Sequence, residues 1–182
     1  MGNENGCGLV VILDGGEIIN QGNRKKQVLI LVSCYLLGVK GGGSIRTIAN
    51  LVEVLVGDEL ELSIITMDRD LGDKTPYESV NHGQWSQVGK AKVYYINPNI
   101  SIFSLVKLIN SISFDVLYLN SFFNTLFSFK PMFMLKLGLI SPKLIVLAPR
   151  GEFSNGALNI KPMRKLVFIF CVKVAQLYRN IL

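Results

Sequence analysis

The sequence predicts an α/β fold built on a doubly wound parallel sheet. Short apolar runs alternate with segments of helical periodicity along the 182 residues, and such alternation is typical of βαβ units. The hydrophobic fraction of 49% is high and suits strands that are buried on both faces. No apolar run reaches the roughly 18 to 20 uncharged residues that a membrane span needs, so we expect no transmembrane helix.

Five strands and the segments that follow them account for most of the chain. Residues 1–24 are interpreted as a tail or weak hairpin, because they lack the helical periodicity of a crossover. A long polar loop is expected over 67–89, and Pro131 should bend or restart the third helix. The predicted strands are 25–33, 60–66, 93–96, 116–119 and 143–147, and the predicted helices are 45–56, 102–112, 122–139 and 163–181.

A glycine-rich turn joins the first strand to its helix. Gly41, Gly42 and Gly43 carry no Cβ, so backbone N–H groups can approach an anion there. Ser44 is the expected N-cap, and a helix N-terminus favours phosphate or diphosphate. The turn matches neither G-x-G-x-x-G nor the P-loop spacing. A glycine-rich surface turn without a ligand therefore remains the alternative.

Polar residues also follow three other predicted strands. The carboxyl ends of parallel strands meet at one edge of a sheet, and ligands of such folds bind in the crevice outside that edge. We therefore expect these residues and the glycine turn to converge on one crevice. They are Asp68 and Asp70 after the second strand, Asn120 and Ser121 after the fourth, and Arg150 and Glu152 after the fifth.

Four segments carry a resemblance to a known family. They read, in chain order, LVSCYLLGVKGGGSIRTIANLVEVL, ITMDRDLGDKTPY, FDVLYLNSFF and LIVLAPRGEFSNGALNIKPMRK. Together they resemble the N-terminal domain of family 4 glycosyltransferases of the GT-B fold, in particular the bacterial enzymes that build capsule, O-antigen or exopolysaccharide. The resemblance covers residues 25–182 and leaves residues 1–24 unmatched.

The resemblance implies a Rossmann-like domain that forms one side of a two-domain cleft. Such enzymes transfer a sugar, with retention, from a nucleotide-sugar donor to a lipid-linked or polysaccharide acceptor. The nucleotide sugar is a substrate, and neither a cofactor nor a metal is implied. The family's C-terminal nucleotide-sugar domain is absent from the 182 residues, so we expect the chain to be inactive by itself.

The resemblance also implies roles for the residues of the predicted crevice. Gly42, Gly43 and Ser44 would bind the donor diphosphate. Arg150 would be the catalytic residue, because a guanidinium stabilises a departing nucleoside diphosphate. The acceptor contacts would come from Asn120, Ser121, Glu152, Asp68 and Asp70.

Three other interpretations of the same residues stay open. Asp68-Arg69-Asp70 has the D-x-D form that metal-dependent glycosyltransferases of a different fold use to hold a divalent cation. Asp68 also lies close to the end of the second strand, where a nicotinamide-dependent oxidoreductase carries an acidic residue. The chain is alternatively a non-catalytic fragment or interaction module. His82, the single histidine, has no predicted role.

The charge distribution bears on partners and location. The net charge is +6, and from residue 131 onward eight basic residues accompany one acidic residue, Glu152. Such a bias suits an anionic membrane surface, a phosphorylated substrate or nucleic acid; we expect no nucleic-acid partner, because no recognisable module accompanies the charge. Helix 163–181 would lie on such a membrane or pack into the core. Three dispersed cysteines fit no disulfide framework, which favours the cytoplasm, with peripheral binding at the inner membrane face.

Overall fold

The computed structural model describes residues 10–13 (backbone only), 24–57, 59–160 and 162–177. These residues form an α/β fold around a mixed, seven-stranded sheet. The strands are β1 (Val10–Leu13), β2 (Lys26–Leu31), β3 (Leu60–Met67), β4 (Trp85–Val88), β5 (Ala91–Ile96), β6 (Val116–Leu119) and β7 (Leu144–Leu147). The helices are α1 (Gly43–Leu55), α2 (Ile102–Ile109), a π-helical turn (Thr125–Phe129), α3 (Lys130–Lys136), α4 (Asn155–Leu158) and α5 (Pro162–Val174).

The strand order is β1-β7-β6-β2-β3-β5-β4. Strands β7, β6, β2, β3 and β5 are parallel, and this confirms the predicted parallel core. From β2 the chain moves through β3 to β5 on one side, and then returns to add β6 and β7 on the other. The order therefore reverses between β2 and β6, and a reversal of this kind opens a crevice at the carboxyl ends of the two strands.

The five predicted parallel strands are joined at each edge of the sheet by one antiparallel strand that was not predicted. Strand β4 lies within the expected polar loop and pairs antiparallel with β5. Strand β1 lies within the expected tail and pairs antiparallel with β7. An edge strand is bonded on one side only and tolerates polar residues, so its sequence gives a weaker signal than that of a buried central strand.

Apolar residues of β2 alternate between the two faces of the sheet. Leu29 and Leu31 belong to a core cluster that includes residues of α2, α3 and α5. Ile30 belongs to a second cluster, which packs beneath α1 through Ile48 and Val52. Helices thus cover both faces, and this explains why the strand reads as a continuous apolar run.

The helices depart from their predicted bounds mainly in the third one. The expected helix over 122–139 was wrong in its bounds, because residues 122–124 are not helical, a π-helical turn follows them, and α3 ends at Lys136. Asn124 caps that turn, and its Oδ1 accepts a hydrogen bond of 2.8 Å from the Phe127 amide. The restart at Lys130, beside Pro131, confirms the predicted interruption. Helix α5 spans Pro162–Val174, and residues 175–177 form a turn in which Gln176 has a φ of 48°. The predicted helix 163–181 was therefore too long at its C-terminal end, and its last residues lie outside the described ones.

The expectation that the chain lacks a transmembrane helix is confirmed within the described residues. None of their helices has the length and apolar character that a bilayer crossing requires.

Candidate functional site

The three glycines of the turn after β2 differ in their surroundings. A Cβ on Gly41 would lie 2.8 Å from Cδ1 of Ile45 and 2.9 Å from Cβ of Cys34, so Gly41 allows the turn to pack against α1. Gly42 has a φ of 53°, in the left-handed region that favours glycine. A Cβ on Gly43 would meet nothing within 4 Å, so its surroundings are open.

The predicted N-cap at Ser44 was wrong. Helix α1 begins at Gly43, and the N-cap residue, Gly42, provides no side-chain cap. The Ser44 hydroxyl donates a hydrogen bond of 2.8 Å back to the Gly41 carbonyl instead of accepting one from an amide. The first turn of α1 contains no acidic residue. An anion is therefore a suitable partner for the positive end of this helix.

Asp70 organises the glycine turn from the loop after β3. One carboxylate oxygen accepts hydrogen bonds from the Val39 amide (2.7 Å) and the Lys40 amide (3.0 Å). The other accepts from the Leu71 amide at 2.8 Å. Burial raises the pKa of this carboxyl, but the three amide hydrogen bonds more than offset that effect and hold the pKa below its usual value. Both oxygens are thus engaged within the protein.

Asp68 is also engaged. Its two oxygens accept hydrogen bonds from Nε (2.7 Å) and Nη2 (3.1 Å) of Arg69, and its side chain is buried. The D-x-D segment therefore directs its carboxylates to a neighbouring guanidinium and to backbone amides. Among the described residues, no cluster of three or more His, Cys, Asp or Glu side chains is arranged to hold a metal ion.

Arg150 lies three residues beyond the end of β7 and is held by two residues of the β6 region. Its Nε donates to Oδ1 of Asn120 at 2.6 Å, and its Nη2 donates to the Tyr118 hydroxyl at 2.8 Å. The guanidinium carbon lies 6.0 Å from the centre of the Tyr118 ring. A guanidinium has five N–H groups, so three remain that can donate to an anion.

The backbone of Arg150 is unusual for a residue with a side chain. Its φ is 54°, and the left-handed conformation costs about 1–2 kcal/mol for such a residue. Conformations of this kind occur preferentially at functional sites, where the surroundings hold them in place. Here the surroundings are the two hydrogen bonds from Arg150 to Asn120 and Tyr118.

Glu152 connects the loops that follow β6 and β7. The Ser121 hydroxyl donates to its Oε1 at 2.6 Å, and the amides of Phe122 and Phe123 donate to its Oε2. A further bond of 2.6 Å, from Asn124 Nδ2 to Ser33 Oγ, connects the β6 loop to the segment after β2. The carboxyl-end loops of β7, β6 and β2 are thus joined by side-chain hydrogen bonds.

The predicted site residues therefore form two groups on either side of the β2–β6 reversal. Asn120, Ser121, Arg150 and Glu152 are connected through the β6 and β7 loops, while the glycine turn is bonded to Asp70. His82 contacts the Tyr77 carbonyl at 2.9 Å and belongs to neither group. A shallow depression of about 400 Å³ lies instead at the amino ends of β2, β6 and β7. It is lined by residues that include Arg24, Asp115 and Lys143.

Two residues of the site were missed by sequence reasoning. Tyr118 lies within the apolar run of β6, where a tyrosine is expected to contribute its ring to the core. Asn124 lies inside the segment that was assigned to a helix. The position of Tyr118, two residues before Asn120 and therefore on the same side of the strand, is the one sequence signal that could have identified it.

Comparisons with protein-family models, with curated proteins and with solved structures found no match to this chain.

Proposed function

We propose that this chain forms the acceptor-side, Rossmann-like half of a GT-B glycosyltransferase, which transfers a sugar from a nucleotide-sugar donor to a lipid-linked or polysaccharide acceptor. The observation that carries the proposal is the Arg150 guanidinium, which is fixed by Asn120 and Tyr118 beside the reversal of strand order. The five parallel strands support it further, because their order, β7-β6-β2-β3-β5, is that of a Rossmann-type nucleotide-binding unit.

The proposed chemistry is electrostatic stabilisation of a leaving group. As the bond from the anomeric carbon to the diphosphate breaks, its electron pair and negative charge pass to the diphosphate oxygen. The acceptor hydroxyl oxygen forms the new bond to that carbon, and its proton leaves with the diphosphate or to water. Arg150 would donate charge-assisted hydrogen bonds to the diphosphate, together with the open amides at Gly42 and Gly43.

Asn120 and Tyr118 act as positioning residues in this proposal. Because they hold Nε and Nη2, they restrict the guanidinium plane and direct its other N–H groups. Preorganised donors stabilise developing charge more effectively than mobile ones, since they need no rearrangement during the reaction. Glu152, with both oxygens bonded within the protein, would fix the shape of the loop after β6, which contains the proposed acceptor contacts Asn120 and Ser121, instead of removing a proton.

The test is titration of the chain with UDP and with GDP, followed by calorimetry and by ¹⁵N NMR, which also detects weak binding. We expect binding that shifts the amide signals of Gly42 and Gly43 and the Nε signal of Arg150. Arg150→Ala should weaken it by at least about tenfold, because a charge-assisted hydrogen bond contributes about 1.5–3 kcal/mol.

Arg24→Ala is the matched control. Arg24 donates to Asp115 at the opposite edge of the sheet, so its removal subtracts the same charge without touching the proposed site. Equal loss in both variants would show nonspecific attraction, and would count against the proposal. Absence of any shift at Gly42, Gly43 and Arg150 with either nucleotide would overturn it.

A further inference from the structure

Helix α5 is apolar on two sides, and only one of them is covered. Phe168, Ile169 and Val172 pack into the core cluster that lies beneath α2 and α3. The opposite side carries large apolar residues at spacings of three and four, which place them along one face of a helix. These residues, between 58% and 71% exposed, are Met163, Leu166, Val167, Phe170 and Val174. We call them the α5 stripe.

The surroundings of the α5 stripe are basic. Residues 153–182 include five lysines and arginines and no acidic residue. Arg164 and Lys173 are exposed on α5 itself. Lys165, by contrast, donates to the Ala157 carbonyl at 2.6 Å and lies over the Phe123 ring. The exposed surface therefore combines an apolar stripe with positive charge at both ends of the helix.

We propose that the α5 stripe docks on the surface of an anionic lipid bilayer. Aromatic and aliphatic side chains enter the boundary between headgroups and acyl chains, while flanking basic residues remain at the level of the headgroups. Each Lys or Arg near an anionic surface adds about 1 kcal/mol of attraction. A patch of this kind on a folded domain is typical of a docking surface.

The charge distribution favours a bilayer over a second copy of the chain. A two-fold symmetric dimer brings the same patch of both subunits together, and it would place Arg164 and Lys173 against like charges. An anionic bilayer pairs those residues with opposite charge and the α5 stripe with hydrocarbon. The proposal does not depend on the glycosyltransferase assignment, since it needs only α5 and its surroundings.

Docking through α5 would bring the bilayer close to the candidate site. On its covered side, the Phe168 ring lies 5.7 Å from that of Phe122 and 5.5 Å from that of Phe123. The amides of these two phenylalanines donate to Glu152. If the proposed function holds, α5 and the aromatic side chains on its covered side would separate the bilayer, and an acceptor anchored in it, from the loop after β6.

The test is cosedimentation of the whole chain with vesicles. We expect binding to phosphatidylcholine vesicles that contain phosphatidylglycerol, and weaker binding to phosphatidylcholine alone or at high salt. The double variant Leu166→Ser/Phe170→Ser should bind at least about tenfold more weakly, because each side chain loses apolar burial. Arg164→Gln/Lys173→Gln should lose binding to the anionic vesicles selectively.

Two exposed positions elsewhere provide matched controls. Phe103 on α2 is 87% exposed, more than Phe170, so Phe103→Ser removes a still more accessible aromatic ring and should leave vesicle binding unchanged. Lys107→Gln, also on α2, removes a positive charge away from α5 and should likewise leave vesicle binding unchanged. Equal effects of α2 and α5 variants would overturn the proposal, as would failure of the unmodified chain to bind anionic vesicles. A dimer that Phe170→Ser dissociates, without vesicle binding, would identify a second copy as the occupant.

A fluorescent probe tests the docking face without altering the α5 stripe. Cys171 is free and exposed on α5, next to Phe170, whereas Cys34 is buried. In a Cys7→Ser background, an environment-sensitive dye on Cys171 should shift to the blue when anionic vesicles are added. An unchanged spectrum in a sample that cosediments with vesicles would show that another surface makes the contact.

Discussion

At the scale of single residues, Asp70 contributes most to the shape of the candidate site. Its carboxylate accepts three amide hydrogen bonds, two of them from the turn that leads to Gly41. Removal of a buried acceptor leaves its donors unpaired, and each such group costs about 1–3 kcal/mol. Asp70 therefore acts on the glycine turn through the backbone rather than through a ligand.

The first prediction concerns the pH dependence that Asp70 confers. Its pKa is lower in the folded chain than its ordinary value of 3.8, so its contribution to stability is complete above that value and is lost as the pH falls through the folded pKa. In urea titrations between pH 6 and pH 3, the unmodified chain should lose more unfolding free energy than Asp70→Asn. Parallel curves would contradict this.

Glu78→Gln is the control for that series. Glu78 is exposed, and its replacement removes one carboxylate without disturbing the turn. It should leave the slope of stability against pH close to that of the unmodified chain. A change as large as that of Asp70→Asn would mean that overall charge, rather than the amide hydrogen bonds, sets the slope.

At the same scale, the positions of the site residues could be predicted from the sequence, but their hydrogen-bond partners could not. The positions of Arg150 and Glu152 after a strand indicated the edge at which they lie, because strand ends are visible in the apolar pattern. Their partners were not visible: the bonds to Tyr118 and Ser121 cross 32 and 31 residues of chain. A contact of that range depends on strand order, which local periodicity does not specify.

At the scale of elements, the three glycines of the turn between β2 and α1 differ in whether the fold itself requires glycine. Gly41 has no room for a Cβ, Gly42 needs a positive φ, and Gly43 has neither restriction. From the sequence, the three glycines were expected to form one anion-binding loop or, alternatively, a surface turn without a ligand. The structure instead gives the first two a conformational reason and leaves Gly43 as the glycine with no structural requirement.

The second prediction follows from that difference. Gly41→Ala should destabilise the chain by about 1–3 kcal/mol, because overpacking forces Ile45 or Cys34 to move. Gly43→Ala should be neutral or stabilising by up to about 1 kcal/mol, since alanine is favoured over glycine in a helix. Urea unfolding of both variants measures this, and similar losses would show that the turn is not packed as described.

The same pair of variants bears on binding. If Gly43 is glycine because a ligand approaches its backbone, Gly43→Ala should weaken nucleoside diphosphate binding while stability is kept. Retained binding would remove Gly43 from the proposed site and leave Arg150 as its main component.

The elements that could be predicted are those whose signal is local and strong. Leu29, Ile30 and Leu31 are all fully buried, so a continuous apolar run identified β2. β4, in contrast, is an edge strand of the described sheet, paired with β5, and includes Ser86 and Gln87, so its composition resembles that of a loop. The π-helical turn was not predictable, because it depends on the cap at Asn124 and on the fit of Phe127 into the core.

At the scale of the whole molecule, β2 connects the two core clusters. Leu29 and Leu31 belong to the cluster beneath α2, α3 and α5, whereas Ile30 and Val32 belong to the cluster beneath α1. Loss of packing on one face removes support from the strand that holds the other. The two faces should therefore unfold together, as the parts of a cooperative single domain do.

The third prediction tests this coupling with the single tryptophan. Trp85 packs against Tyr94 on the side of the sheet opposite α1, and Ile48 lies fully buried beneath α1. Ile48→Val removes one buried methyl group and should cost about 0.5–1.5 kcal/mol. If the sheet unfolds as one unit, the urea midpoint measured by tryptophan fluorescence should fall by the same amount as the midpoint measured by far-ultraviolet circular dichroism.

The control is Val54→Ala, at an exposed position of the same helix. It should change the unfolding free energy measured by either method by less than about 0.5 kcal/mol. A dichroism midpoint that falls while the fluorescence midpoint stays would show that α1 and its cluster separate first, and that β2 does not transmit stability across the sheet.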